Sequence, residues 1–171
     1  MLNGAAAVGK TTIANRYAKE HPLTLNFAGD IFIEMVSEWR RNEEKARSYV
    51  FDMTTSIIDM YAQTGNDVVI QYLLTDARHA EVFSKIAAKY KIDFIEILLE
   101  IDKKTAVRRL LKRGVWGEVN SPKLTEADTP AIENLFDLML TETKKRPNTV
   151  RIPVIEGDVE GVYSNFINAI K

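Results

Sequence analysis

Two hydrophobic periods alternate along this chain, one near 3.6 residues and one of short continuous apolar runs. Ile13, Ala14, Tyr17 and Ala18 share one helical face, and His21-Pro22 ends that run. Thr24 to Ala28 (TLNFA) is short and partly apolar, which predicts a strand ending at Gly29-Asp30. Ile31 to Arg41 has the spacing of a helix, with Ile31, Phe32, Met35, Val36 and Trp39 on its apolar side. A longer helix is expected over Glu44 to Thr64, carrying Tyr49, Val50, Met53, Ile57, Met60 and Tyr61, with Gly65-Asn66 as its stop.

Asp67 to Leu74 (DVVIQYLL) opens with β-branched residues and predicts a buried strand. A helix capped by Thr75 follows to about Tyr90, with Ala80, Val82, Phe83, Ile86 and Ala87 inward. Phe94 to Ile101 is the next strand, and Asp102 caps a helix over Lys103 to Arg113 bearing Ala106, Val107, Leu110 and Leu111. From Gly114 to Thr129 the periodicity breaks down into Gly, Asn, Ser and Pro, an irregular excursion of the kind that serves as a lid or is disordered. Thr129-Pro130 starts a helix to Arg146 with Ile132, Leu135, Phe136, Met139 and Leu140 inward. Thr149 to Ile155 is the last strand, and Gly161 to Ile170 the last helix. Strands alternating with helices predict a parallel α/β sheet covered on both faces, with ligands at the carboxyl ends of the strands.

The stretch Gly4, Ala5, Ala6, Ala7, Val8, Gly9, Lys10, Thr11, Thr12 matches G-x-x-x-x-G-K-[ST] at each fixed position. Glycines let the backbone curl until successive N–H groups point at a phosphate, forming an anion nest. Lys10 is placed to reach β/γ oxygens, the Thr11 hydroxyl to ligate Mg²⁺, and the following helix to offer its positive end. The alternative, a Gly/Ala-rich turn without a ligand, is disfavoured because strand, loop and helix occur in the order the motif requires. Only Met1, Leu2 and Asn3 precede Gly4, against about five or six residues in an ordinary strand. A stunted first strand is therefore expected, and a longer native start would account for it.

With 171 residues, one compact domain with an ample core is expected. The absence of cysteine excludes disulfides, Cys-ligated zinc and thiol catalysis, and two histidines (His21, His79) cannot build a multi-histidine metal site. A net charge of −1 supplies no electrostatic footprint for nucleic acid or anionic membrane. No signal peptide and no apolar stretch of about 18 residues occurs, so a cytoplasmic location is the default expectation.

The P-loop, five predicted strands, Gly29-Asp30 after the second strand and an arginine-bearing excursion near position 113 together resemble the P-loop small-molecule kinase group. That group includes nucleoside monophosphate kinases, shikimate and gluconate kinases, and chloramphenicol phosphotransferase-like proteins. The resemblance covers the whole chain in outline, and its sharply specific motif is the P-loop. It implies a five-stranded parallel sheet of order 2-3-1-4-5, a substrate-binding helical region at about 30–64, a lid at about 113–129, and ATP with Mg²⁺. Asp30 matches the acidic residue that binds or deprotonates an acceptor hydroxyl in many of these kinases, and could assist the metal through water. A carboxylate suits that task, and an N-cap for a helix starting at Ile31 is its plainer reading. Arg113, with Arg109, corresponds to arginines that reach over the nucleotide, although a basic side chain at a helix C-terminus needs no ligand. The loop around Gly157 is where the group packs backbone against adenine, with Asp158 also capping the last helix.

One position departs from the group. Many relatives carry an acid on strand three beside the P-loop; here the matching residue is Gln71, which brings no negative charge to a metal. Asp30 or Asp76 could take over, or Gln71 simply satisfies buried backbone. Arg40, Arg41, Arg47 and Arg78 are candidates for an anionic acceptor pocket or ordinary surface charges. Trp39 and Trp116 are core and lid packing or stacking partners. The expected activity is transfer of the γ-phosphoryl group of ATP to a small-molecule acceptor, with Lys10, Asp30 and Arg113 as catalytic residues. A binding protein without turnover is the alternative, for which Gln71 is the best argument. A nucleotide switch or mechanical ATPase is disfavoured. No N-K-x-D occurs, the D-x-x-G at Asp158 to Gly161 lies past the last strand, and no Asp-Glu pair ends an apolar strand.

Overall fold

The computed structural model describes residues 1–117 and 122–171, and the backbone but not the side chain of Asp30. Five parallel strands form one sheet: β1 (Leu2–Gly4), β2 (Leu25–Ala28), β3 (Val68–Tyr72), β4 (Ile97–Glu100) and β5 (Val150–Pro153), in the order β2-β3-β1-β4-β5. Among the described residues six α-helices accompany them: α1 (Lys10–Glu20), α2 (Glu43–Ala62), α3 (Ala77–Lys89), α4 (Lys103–Arg113), α5 (Thr129–Lys144) and α6 (Val159–Ala169). The expected sheet order and stunted first strand are both present.

β1 is central and short. Leu2 lies opposite Gln71 on one side and Ile97 on the other, and Gly4 opposite Leu99. Leu2, Leu98 and Leu99 are almost fully buried, because the sheet is covered on both faces. One core cluster joins Leu2, Val8, Ile13 and Tyr17 to Val162 and Phe166; another joins Ala5 and Leu98 to Ala106, Phe136 and Met139. The P-loop is thus packed from both sides of the sheet through its own small side chains.

Two helical expectations change. Residues 31–41 are not one α-helix but two 3₁₀ segments, Gly29–Met35 and Trp39–Asn42, with Glu38 in left-handed conformation between them. Ile31 and Met35 point outward, while Ile33 and Trp39 are buried. On α2 the inward face is Ala46, Thr54, Ile58 and Ala62, and Tyr49, Met53 and Met60 are exposed. The two segments approach closely at one point, where a Cβ at Gly29 would sit 3.1 Å from Thr54 Oγ1, so the residues facing each other there are Gly and Thr. The cap of α3 is Asp76 rather than Thr75, its carboxylate accepting from Arg78 N at 2.9 Å. Asp102 and Asp158 cap α4 and α6 as expected, accepting from Thr105 N and Gly161 N.

At the amino ends of the strands, opposite the P-loop, lies a cavity of about 360 Å³ lined by Met1, Val68, Phe83, Phe94 and Ile95 among others. The Met1 ammonium is buried at its edge and donates to Ile95 O at 2.6 Å. Burial lowers its pKa from 8.0 to about 5, with Glu96 pulling the other way. Between those values the unfolded chain holds a proton that the folded chain releases, so stability rises with pH across that window and levels off above it. For the chain carrying a free Met1 amine, thermal melts should show the midpoint rising from pH 5 to 8, the full effect being on the order of 4 kcal/mol. Acetylating that amine should remove its share of the slope.

Candidate functional site

The carboxyl ends of β1, β2 and β3 and the start of α1 meet at one edge of the sheet. Asn3, fully buried, anchors this edge. Its Oδ1 accepts from Gly4 N (2.8 Å) and Leu74 N (3.0 Å), and its Nδ2 donates to Thr143 Oγ1 (3.0 Å), which in turn donates to Met139 O. One side chain thereby ties the first P-loop residue to the end of β3 and to α5. Sequence reasoning saw Asn3 only as strand; its signal is a polar residue directly before the P-loop glycine.

The loop then turns. At Gly4 (φ +153°) a Cβ would lie 2.9 Å from Val8 Cγ1 and 3.1 Å from Leu99 O, so any side chain collides with the loop's own far end. Ala7 and Gly9 both have positive φ, at 60° and 114°. Gly9 stands at the N-cap of α1 with no side-chain cap bond. The first amides of α1 therefore lack the side-chain acceptor that Asp76, Asp102 and Asp158 supply to other helices, which leaves an anion-binding helix start. Lys10 Nζ donates to Gly4 O (2.7 Å) and Ala5 O (3.0 Å). Phosphate oxygens are charged and hence stronger acceptors than these neutral carbonyls.

Gln71 does not satisfy backbone; it faces the P-loop. Thr11 Oγ1 donates to Gln71 Oε1 at 2.8 Å, Gln71 Nε2 donates to Asn26 Oδ1 at 2.7 Å, and Asn26 Nδ2 donates to Asn15 Oδ1 at 2.7 Å. Asn26 and Asn15 were not anticipated, although a polar residue inside TLNFA is the signal. Tyr72, next on β3, shares a 2.6 Å hydrogen bond with His79 Nδ1, and His79 stacks on Phe51 with ring centroids 3.9 Å apart. Burial lowers the His79 pKa.

The other predicted residues divide. Asp30 follows β2 at the same sheet edge, but its side chain is outside what the structure describes; the 3₁₀ segment begins at Gly29 with Ala28 at its cap, so Asp30 does not cap a helix starting at Ile31. Arg113 Nε donates to Val115 O at 2.8 Å and its guanidinium also to Trp116 O, which turns it onto the segment that follows α4. Within the expected lid, 118–121 lie outside the described residues. Leu124 is buried beside Val107, Leu110 and Ile132, and Ala6, Ala7 and Trp116 pack against that group. Arg108 pairs with Glu156 at 2.6 Å, and Arg108, Arg109 and Lys112 together hold the Glu156 carboxyl below its usual range, beside Gly157. Arg40, Arg41, Arg47 and Arg78 each pair with a carboxylate, of Glu34, Glu38, Glu43 and Asp76, and Arg40 lies over Trp39. Arg78, by hydrogen bonding, takes the Asp76 pKa down to about 2, so Asp76 is engaged as cap and ion-pair partner. Among the described residues no group of three or more His, Cys, Asp or Glu could hold a metal ion.

The sheet order, the central P-loop and the uncapped helix behind it define the fold of the P-loop small-molecule kinases. A family model described as an AAA domain matches residues 1–135, and the chain belongs to that family. Among solved structures it is similar to a gluconokinase from Sinorhizobium meliloti 1021, with TM-score 0.61 and 12% identity, over 98% of this chain and 90% of that one. It is also similar to a deoxyadenosine kinase from M. mycoides with products dCMP and a flexible dCDP bound, with TM-score 0.54 and 15% identity, over 99% and 98%. No curated protein matches the sequence. Among the described residues no helix is long and apolar enough to cross a membrane.

Replacing Asn3 by Ala leaves Gly4 N, Leu74 N and the Thr143 hydroxyl short of partners in a dry site. Denaturant titration should show a loss of about 2–4 kcal/mol, with the midpoint falling at unchanged slope.

Proposed function

We propose that this chain is a kinase that moves the γ-phosphoryl group of ATP to a small-molecule acceptor in the cytoplasm. The observation that carries the reading is the P-loop itself: an uncapped α1 start, three positive-φ residues before it (Gly4, Ala7 and Gly9), and the Lys10 ammonium hydrogen-bonded to the carbonyls of Gly4 and Ala5. The α1 amides bind and orient the β-phosphate, and Lys10 exchanges its carbonyl partners for β/γ oxygens. Mg²⁺, held by Thr11 and the nucleotide, would supply charge neutralisation at those oxygens. Asp30, just past the carboxyl end of β2, accepts the proton of the acceptor hydroxyl. Arg113 and Arg109 lie at the end of α4, from which they reach the nucleotide when the segment after Gly114 folds over it and excludes water. The backbone at Gly157 borders the nucleobase. The region 30–64 receives the acceptor, and its exposed Ile31, Met35 and Met53 give that acceptor apolar surface.

A nucleotide binder with little turnover is the second reading, favoured by the single observation that an amide occupies position 71 where a carboxylate would help to hold the metal. Acceptor-dependent ADP release across a panel of nucleosides, nucleotides, sugar acids and shikimate-like carboxylates separates the two. Lys10→Ala should lower the rate by about 100-fold or more. Asp30→Asn should lower kcat by about 100-fold or more while ATP affinity holds. Equal ADP release by wild type and Lys10→Ala over the whole panel would overturn the kinase reading.

A further inference from the structure

We infer that the phosphoryl acceptor carries no phosphate or carboxylate: the region 30–64 and the start of α3, whose arginines are already matched by acids, take a hydroxyl compound that is not an anion and that offers an apolar face. The inference rests on the kinase reading and names the class of its second substrate.

An anionic acceptor has to be held beside a nucleotide that is itself strongly negative, so its site needs cations that no carboxylate has neutralised. The arginines placed to supply them are neutralised. Arg40 pairs with Glu34 at 3.3 Å, Arg41 with Glu38 at 3.0 Å and Arg47 with Glu43 at 2.8 Å. At the start of α3, Arg78 Nε donates to both oxygens of Asp76 at 3.0 Å. Arg40 and Arg47 also lie over the ring of Trp39, 4.3 and 5.6 Å from its centre. Each pair joins residues two to six positions apart, so the acid stays with its arginine in any rearrangement of the segments. An incoming phosphate would exchange one anionic partner for another and leave the displaced carboxylate beside it.

The charge balance of the region adds to this. Residues 30–64 hold seven Asp and Glu against four Arg and Lys, a net charge of −3. Lys89 of α3 offsets one of these acids, Asp59, at 2.9 Å, and Lys45 is exposed beside the ring of Tyr49. At the carboxyl end of β3 the group able to add positive charge is His79, which stacks on Phe51 and bonds to the Tyr72 hydroxyl. Burial lowers its pKa, with Asp76 pulling up and Arg78 pulling down, so the ring is uncharged at pH 7. Uncovered apolar side chains stand in the same region: Ile31 is 62% exposed, Met35 74% and Met53 37%. Apolar surface left open beside a polar site is available to the apolar face of a ligand.

The test compares acceptors that differ by one anionic group, at saturating ATP: a nucleoside with its 5′-monophosphate, an aldose with its aldonic acid, and shikimate methyl ester with shikimate. ADP release should give a kcat/KM at least about fivefold higher for the uncharged member of whichever pair reacts, because like charges repel the other member. Raising salt from about 20 to about 200 mM should raise kcat/KM for the anionic member relative to the uncharged one, since screening weakens that repulsion. Glu34→Gln and Glu43→Gln, which unmatch Arg40 and Arg47, should each shift the ratio at least about threefold toward the anion, through KM. A purely structural role for these acids would change both members alike. That result, a wild-type ratio below fivefold, or an anionic kcat/KM that falls with salt relative to its uncharged partner overturns the inference and leaves the kinase reading standing. Acceptor-dependent ADP release no greater than that of Lys10→Ala for every compound overturns both.

Discussion

The backbone amides at the start of α1 have no side chain to accept from them, and the rest of the structure is arranged around that deficit. Three other helices, α3, α4 and α6, begin with an aspartate whose carboxylate accepts from the first turn. α1 begins with Gly9 in left-handed conformation, and a carboxylate at that place would occupy the space an anion needs. Holding such an open helix end in register requires rigid support from beneath. Asn3 provides it with three hydrogen bonds in a site without water-accessible surface, and Val8, Ala5 and Ile13 provide it by packing into the core on either side of the sheet.

The same support explains why a strand of only three residues suffices in the centre of the sheet. β1 is paired on both edges, so its few residues make hydrogen bonds to two neighbours, and its side chains are sandwiched by helices. Its chemical role is to deliver Gly4 to the sheet edge beside Gln71 and Tyr72, which places the loop where β2 and β3 end. At its amino end a cavity of about 360 Å³ borders the strand, and the Met1 ammonium buried there holds its proton weakly.

Much of this was legible beforehand because local rules and tertiary demands agreed. α4, with its aspartate cap and regular apolar stripe, spans the expected residues, and the other helices with such a stripe and the strands with β-branched runs lie within a few residues of expectation. The failures lie in 31–41 and on α2. There the apolar spacing of Ile31, Met35, Tyr49 and Met53 fits a helical face, but the segment is 3₁₀ and approaches α2 closely at Gly29 and Thr54, so Ile33, Trp39, Ala46 and Ile58 are the residues buried and Ile31, Met35, Tyr49 and Met53 are exposed. Periodicity counts apolar residues and does not know where two segments will approach each other closely.

By itself the sequence determined the phosphate-binding loop, the alternation of strand and helix, and the caps at Asp102 and Asp158, since each depends on residues a few positions apart. Tertiary structure alone decided that Gln71 meets Thr11 and bonds to Asn26, and that Asn3 joins β1 to α5. Those relations link residues separated by tens of positions, and they follow from sheet order and register, which bring distant side chains within hydrogen-bond range without any local pattern to announce it.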